Sequence, residues 1–145
     1  MYPVALQEIV DFFESLPEAE RRESLIDYAA AAAACAPLPG SQWRVADVRH
    51  DPECTDKVGI FLRLDEAGGV HFAVELGPRV QTLTRAMTAI LCRGLDGCTP
   101  AQVLGLPADV VPRLVGAELV RLRSRTIYYV LDRMKQAVQR LPKDG

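Results

Sequence analysis

The chain has 145 residues, 49% hydrophobic and 25% charged, with 17 basic against 19 acidic side chains and a net charge of -2. That is enough apolar material for one core without covalent staples, and the charge is too near neutral to point to nucleic acid, for which there is no RNP, zinc-finger or helix-turn-helix pattern either. The longest apolar run, the alanines leading into "CAPLPG", is too short for a bilayer and stops at prolines.

Leu6, Ile9, Val10 and Phe13 recur at helical spacing and predict a first amphipathic helix. Ser15, Pro17 and Glu18 have the pattern of a capping box opening a second helix. That helix carries Leu25, Ile26 and the alanine run, and should end near Ala34, because Pro37, Pro39 and Gly40 cannot continue it. The period then changes to two. Trp43 to Val48 is a short run of strand formers, and "KVGIFLRL" alternates with Val58, Ile60, Leu62 and Leu64 on one face. "DEAGG" supplies the turn, and "VHFAVEL" puts Val70, Phe72, Val74 and Leu76 inward. Residues 57 to 76 therefore predict a hairpin in a small antiparallel sheet.

A sheet with one apolar face needs a cover. Pro78 is placed to open a third helix, with Val80, Leu83, Met87, Ile90, Leu91 and Gly94 on its buried side. Thr99, Pro100 and Gln102 form a second capping box, starting a short helix to about Leu104. Pro107 and Pro112 break up the next stretch. Ile127, Val130, Leu131, Met134, Val138 and Leu141 predict a long amphipathic helix to the end, whose interleaved cations, Arg133 among them, read as a solvated face. Helices, then strands, then helices indicate one α+β domain over residues 1–145.

No glycine-rich phosphate loop, GxSxG elbow or HExxH is present, so the chemistry-bearing side chains are the two histidines and four cysteines. No basic, apolar leader is recognisable and the cysteines lack the spacing of a secreted scaffold, so the expectation is a cytoplasmic protein with free thiols. His71 alternates with inward residues and reads as a solvated histidine. Cys35 reads as a small buried apolar residue, and Cys92 as packed or half exposed. Cys98 precedes a helix start, where the dipole favours a thiolate. Cys54 lies in a polar stretch at the mouth of a strand, with His50 four residues before it on the same predicted loop. Arg49, Lys57 and a protonated His50 would lower its pKa; Asp51, Glu53 and Asp56 would raise it. Cys54 and Cys98 are thus both candidate functional thiols, and a metal set of Cys54, Cys92, Cys98 and His50 has no CxxC pair to support it.

Four segments, "ERRESLIDYAAAAAACAPLPG", "ECTDKV", "RVQTLTRAMTAILCRGLDGCTPAQVLGL" and "RLRSRTIYYVLDRM", resemble in order and length the SufE-like sulfur acceptors of iron–sulfur cluster assembly. The resemblance implies an α+β fold, a three-stranded antiparallel sheet packed against N- and C-terminal helices, of the SufE and IscU kind. It also implies a protein that is not itself an enzyme and holds no cofactor. Such a protein takes persulfide sulfur from a pyridoxal-phosphate cysteine desulfurase onto one loop cysteine, stimulates that enzyme, and passes the sulfur to a cluster scaffold. The matching cysteine is Cys54. Docking would fall to the adjoining Asp56 and Lys57 and to the arginine of the family's "SR" motif, which maps onto Arg123, or Arg125 if the alignment slips. The implied state is a monomer or weak dimer that needs neither nucleic acid nor membrane.

The chain departs from the family's Gly-Cys-Gln-Ser pattern: Glu53, Thr55 and Asp56 flank the thiol, and Gly59 stands where an aromatic residue often follows the valine. Two other readings follow from the residues: an iron–sulfur or zinc scaffold built on Cys54 with Cys92, Cys98 or His50, and a diverged binder that carries no sulfur.

Overall fold

A computed structural model describes residues 2–51 and 56–142. Helix α1, Val4–Glu14, buries Leu6, Ile9, Val10 and Phe13, the stripe that its spacing demands. The expected capping box after it does not form. Ser15 Oγ turns back and donates to the Phe12 carbonyl at 2.7 Å, finishing α1, and Pro17 takes the cap position of α2, Glu18–Ala31, without a side-chain bond. Helix α2 buries Leu25 but leaves Ile26 60% exposed. The alanines leave the α-ladder earlier than expected, tightening into a 3-10 turn, Ala32–Cys35, before the prolines.

Strands β1 (Val45–Asp51), β2 (Asp56–Leu64) and β3 (Val70–Leu76) form an antiparallel sheet in the order β1-β2-β3. Val58, Ile60, Leu62, Val70 and Val74 are buried on its core face, and on the other face Phe61 stacks against Trp43 with centroids 5.8 Å apart. In the β2–β3 turn, Asp65 Oδ1 accepts the amides of Ala67 at 2.9 Å and Gly69 at 2.8 Å, and Gly68 supplies the positive φ of 86° that an L side chain resists. Strand β1 starts later than the run of strand formers and continues to Asp51, paired with Asp56. His50 is therefore a strand residue opposite Lys57, not the loop residue that the sequence suggested.

Helix α3, Thr82–Gly94, covers the sheet and buries Ala86, Met87, Ile90 and Leu91. Pro78 does not open it; the chain first makes a turn in which the Val80 amide donates to the Gly77 carbonyl, and Gln81 is the residue before the helix. At the far end Gly94 meets Leu6 so closely that an added Cβ would fall 2.7 Å from Leu6 Cδ1, which fixes how near α1 approaches. Helix α4, Pro100–Leu104, has the expected capping box, Thr99 with Gln102. Pro112 lies inside α5, Val110–Val115, tolerated in a first turn that needs no amide donor. The predicted last helix is α7 (Tyr129–Gln139), which starts after Ile127 and stops before Leu141; Ile127 instead ends a separate helix that the spacing did not announce, α6 (Ala117–Ile127), in which Arg123 has the non-helical angles φ -132°, ψ 31°. One apolar cluster joins α1, the sheet, α3 and α7. Among the described residues no helix is long and apolar enough to cross a membrane.

Candidate functional site

Cys54 lies outside the described residues; the strand ends on either side of it are described. Asp51 and Asp56 are register partners, so only residues 52–55 join β1 to β2. Asp56 Oδ1 accepts the amide of Lys57 and its Oδ2 the amide of Arg79, both at 2.7 Å. These bonds, the one from Arg79 foremost, hold the carboxyl below the usual carboxylate range. A Cβ on Gly77 would lie 2.2 Å from the Asp56 carboxyl carbon, so glycine there lets the carboxylate reach the turn after β3. Lys57 Nζ meets Glu75 across the sheet at 3.0 Å, with both side chains nearly half exposed. Asp56 thus spends its oxygens on its own backbone, while Lys57 remains at the surface.

Arg133 is the opposite of a solvated cation: it is 1% exposed. Its guanidinium donates to Tyr129 Oη, to the Asp47 carbonyl at 2.6 Å and to the Val58 carbonyl at 3.1 Å, tying α7 to β1 and β2. The Asp47 carboxylate lies 3.6 Å away. A bidentate bond from Arg49, aided by the charges of Arg133, Arg49 and Arg140, holds that carboxyl below the usual range. The sequence carried a signal for this burial. Arg133 is three residues after Val130 and four before Ala137, inside the apolar stripe of α7.

Arg123 is exposed on the rim of an apolar groove of about 530 Å³ lined by Arg22, Leu25, Ile26, Leu83 and Leu119. Gln81 and Thr82 also line it, two and three residues after Arg79, whose amide Asp56 holds. The groove therefore adjoins the end of the sheet from which residues 52–55 depart.

The described thiols differ from expectation. Cys98 is 8% exposed and burial pushes its pKa up, which outweighs any help from the five-residue α4 and overturns it as a thiolate candidate. Cys35 is not a buried apolar filler: it is half-buried and lines one groove together with Cys92. That groove joins a turn to a helix distant in sequence, and no local pattern announces it. His71 is not simply solvated. Its Nε2 lies 2.7 Å from Asp65 Oδ2 and its Nδ1 2.6 Å from Asp96 Oδ1. Among the described residues no three His, Cys, Asp or Glu side chains gather as metal ligands, so Cys92, Cys98 and His50 do not come together as a set.

Residues 7–138 match a family model described as SufE: Fe-S metabolism associated domain. Among solved structures, the chain is similar to the solution structure of a hypothetical protein from Thermus thermophilus, with a TM-score of 0.71, 24% identity and 96% of each chain covered. It is also similar to the N-terminal part of a nitrogen-fixing NifU-like protein from Brucella abortus, with a TM-score of 0.58, 14% identity and 84% of this chain and 94% of that one covered. At these identities the structural likeness establishes the fold. No curated protein matches the sequence.

Proposed function

The chain belongs to the SufE family, the Fe-S metabolism associated domain, and from that premise we propose that it carries sulfur as a persulfide on Cys54. The donor is the persulfide of a cysteine desulfurase, whose pyridoxal phosphate makes it; the protein stimulates that enzyme without being a catalyst. The Cys54 thiolate attacks the outer sulfur of the donor, the donor S–S bond breaks, and the donor cysteine leaves as a thiolate. A scaffold thiolate then attacks the outer sulfur on Cys54 in the same way. No net oxidation occurs in either step, so the protein needs no cofactor of its own.

The observation that carries this reading is the position of Cys54 in the four-residue connection of a hairpin whose ends are paired at Asp51 and Asp56, within the span that matches the family. The clasp of Asp56 on Arg79 fixes the β2 end of that connection. Burial of Cys98 favours Cys54 over the rival thiol that the sequence allowed. Partner docking falls to the surface beside that end. Lys57 offers an exposed cation, Arg123 and Arg22 flank the apolar groove, and Ile26 at 60% and Leu122 at 67% exposure supply apolar surface worth burying. Asp56 acts by holding that end in place.

The test is turnover of cysteine by a purified desulfurase in the presence of the protein. Wild type should stimulate sulfide or persulfide production, and Cys54→Ser should bind the desulfurase without stimulating it. Full stimulation by Cys54→Ser would leave a binder that carries nothing.

A further inference from the structure

A groove of about 550 Å³ opens between α2, α3 and the sheet, and its lining includes Tyr28, Trp43, Phe72, Arg63 and Arg93. This groove is not the one beside Arg123. Arg63 is seven residues along β2 from Asp56, roughly 23 Å at 3.3 Å per residue, so the groove lies toward the opposite end of the sheet from residues 52–55. We propose that it is a second binding site, which takes a small organic carboxylate with an aromatic or branched apolar body.

The walls are formed before any ligand arrives. Tyr28 is backed by Phe13, with ring centroids 5.7 Å apart, and Trp43 by Phe61 at 5.8 Å. Phe72, only 9% exposed, is fixed by the core, and alanines of α2, α3 and β3 on the lining keep the space between the rings open. A volume within about 300–1,000 Å³, mostly apolar walls and a few polar groups that set orientation are the properties of a small-molecule site.

The polar groups choose the sign of the ligand. Arg63 and Arg93 are exposed, and among the described residues neither guanidinium makes a hydrogen bond or an ion pair. Arg49, Arg113 and Arg133, by contrast, each donate to an acceptor of this chain. The Trp43 indole N–H and the Tyr28 hydroxyl are also without partners among the described residues. Asp96, the acid on the lining, is engaged by the ring of His71 at 2.6 Å, which tempers its repulsion of an anion. Asp27 borders a neighbouring hollow of about 320 Å³, not this groove. A carboxylate held by the arginines, with its body against Trp43 and Phe72, satisfies unused donors and covers apolar surface together. An ammonium head meets no free acid on this lining, and a neutral head leaves the arginines unused. The site stands apart from Cys54 and holds whether or not that residue carries sulfur.

Trp43 is the only tryptophan of the chain, so its emission reports on this groove in the full-length protein. The test titrates the protein with phenylbutyrate, phenylbutylamine and phenylbutanol, which share one body and differ in the charge of the head. Phenylbutyrate should change the Trp43 emission saturably, in wild type and in Cys54→Ser alike, and phenylbutylamine should not. Arg63→Glu and Arg93→Glu should each weaken phenylbutyrate about tenfold, the loss of one charge-assisted hydrogen bond. Arg121→Glu, the same reversal on α6 outside the groove, should leave its affinity unchanged. The comparison of the three probes on wild type decides even if a variant fails to fold. No saturable change with phenylbutyrate at millimolar concentration, or equal responses to all three probes, overturns the site. A response to polyglutamate but not to phenylbutyrate assigns the groove to an acidic protein segment and overturns the small ligand; arginine variants that bind phenylbutyrate as wild type does overturn the role of the arginines.

Discussion

The carboxylate of Asp56 holds the amide of Arg79 at 2.7 Å, so the first residue of β2 is tied to the turn that leads into α3. Gly77 makes room for it, since a Cβ there would fall 2.2 Å from the Asp56 carboxyl carbon. Gly77→Ala should expel the carboxylate and cost about 1–3 kcal/mol, as overpacking does, read as a lower urea midpoint. If the chain fixes the base of the 52–55 connection in this way, the same variant should also load sulfur more slowly. An unchanged midpoint would show that the clasp is dispensable.

The local rules were legible and the tertiary ones were not. Thr99 and Gln102 cap α4 as their spacing says, because both partners lie within one turn. Val58, Ile60 and Leu62 face the core because strand alternation leaves no other choice. Ser15 and Pro78 carried equally good local signals and failed: Ser15 bonds backward to Phe12, and the turn after Pro78 is held by Asp56 from another strand. Around the candidate site, Cys54 could be read as a residue between strands. The extension of β1 to Asp51 depends on cross-strand pairing, and it moved His50 out of the loop.

Arg133 should dominate the stability of the α7–sheet contact. Its guanidinium satisfies two strand carbonyls, those of Asp47 and Val58, and compensates the Asp47 carboxylate. Arg133→Met leaves those acceptors without a donor and should cost about 3 kcal/mol in denaturant unfolding. Arg133→Lys, which keeps the charge but loses the planar fork, should recover only part of it. A loss no larger than that of an exposed arginine such as Arg22 would contradict the role given to its burial.

His71 predicts a pH dependence with a definite sign. Hydrogen bonding to Asp65, and then to Asp96, raises its pKa above the ordinary 6.5 despite burial. A histidine pKa raised by folding stabilises fully below the unfolded value, and that stability is lost as pH rises through the folded pKa. The melting temperature of wild type should therefore exceed that of His71→Gln below pH 6.5, while Asp65 remains ionised, and the gap should narrow well above it. A gap that is constant with pH would mean the imidazolium contributes nothing.

Cys98 should behave as a structural thiol. Its 8% exposure and its pKa, raised by burial, slow both access and ionisation. Iodoacetamide should label it after Cys35 under native conditions, and at an ordinary rate once the chain is unfolded in urea. Labelling of Cys98 ahead of Cys35 in the folded protein would reverse the assignment.

The most direct measurement is the location of the sulfur itself. The protein is incubated with a cysteine desulfurase and cysteine, the exposed persulfides are trapped by alkylation, and the digested peptides are weighed. The account predicts one added sulfur on the peptide containing Cys54, absent in Cys54→Ser. Sulfur found on Cys35, Cys92 or Cys98 while Cys54 stays bare, or an addition that survives Cys54→Ser, would contradict it.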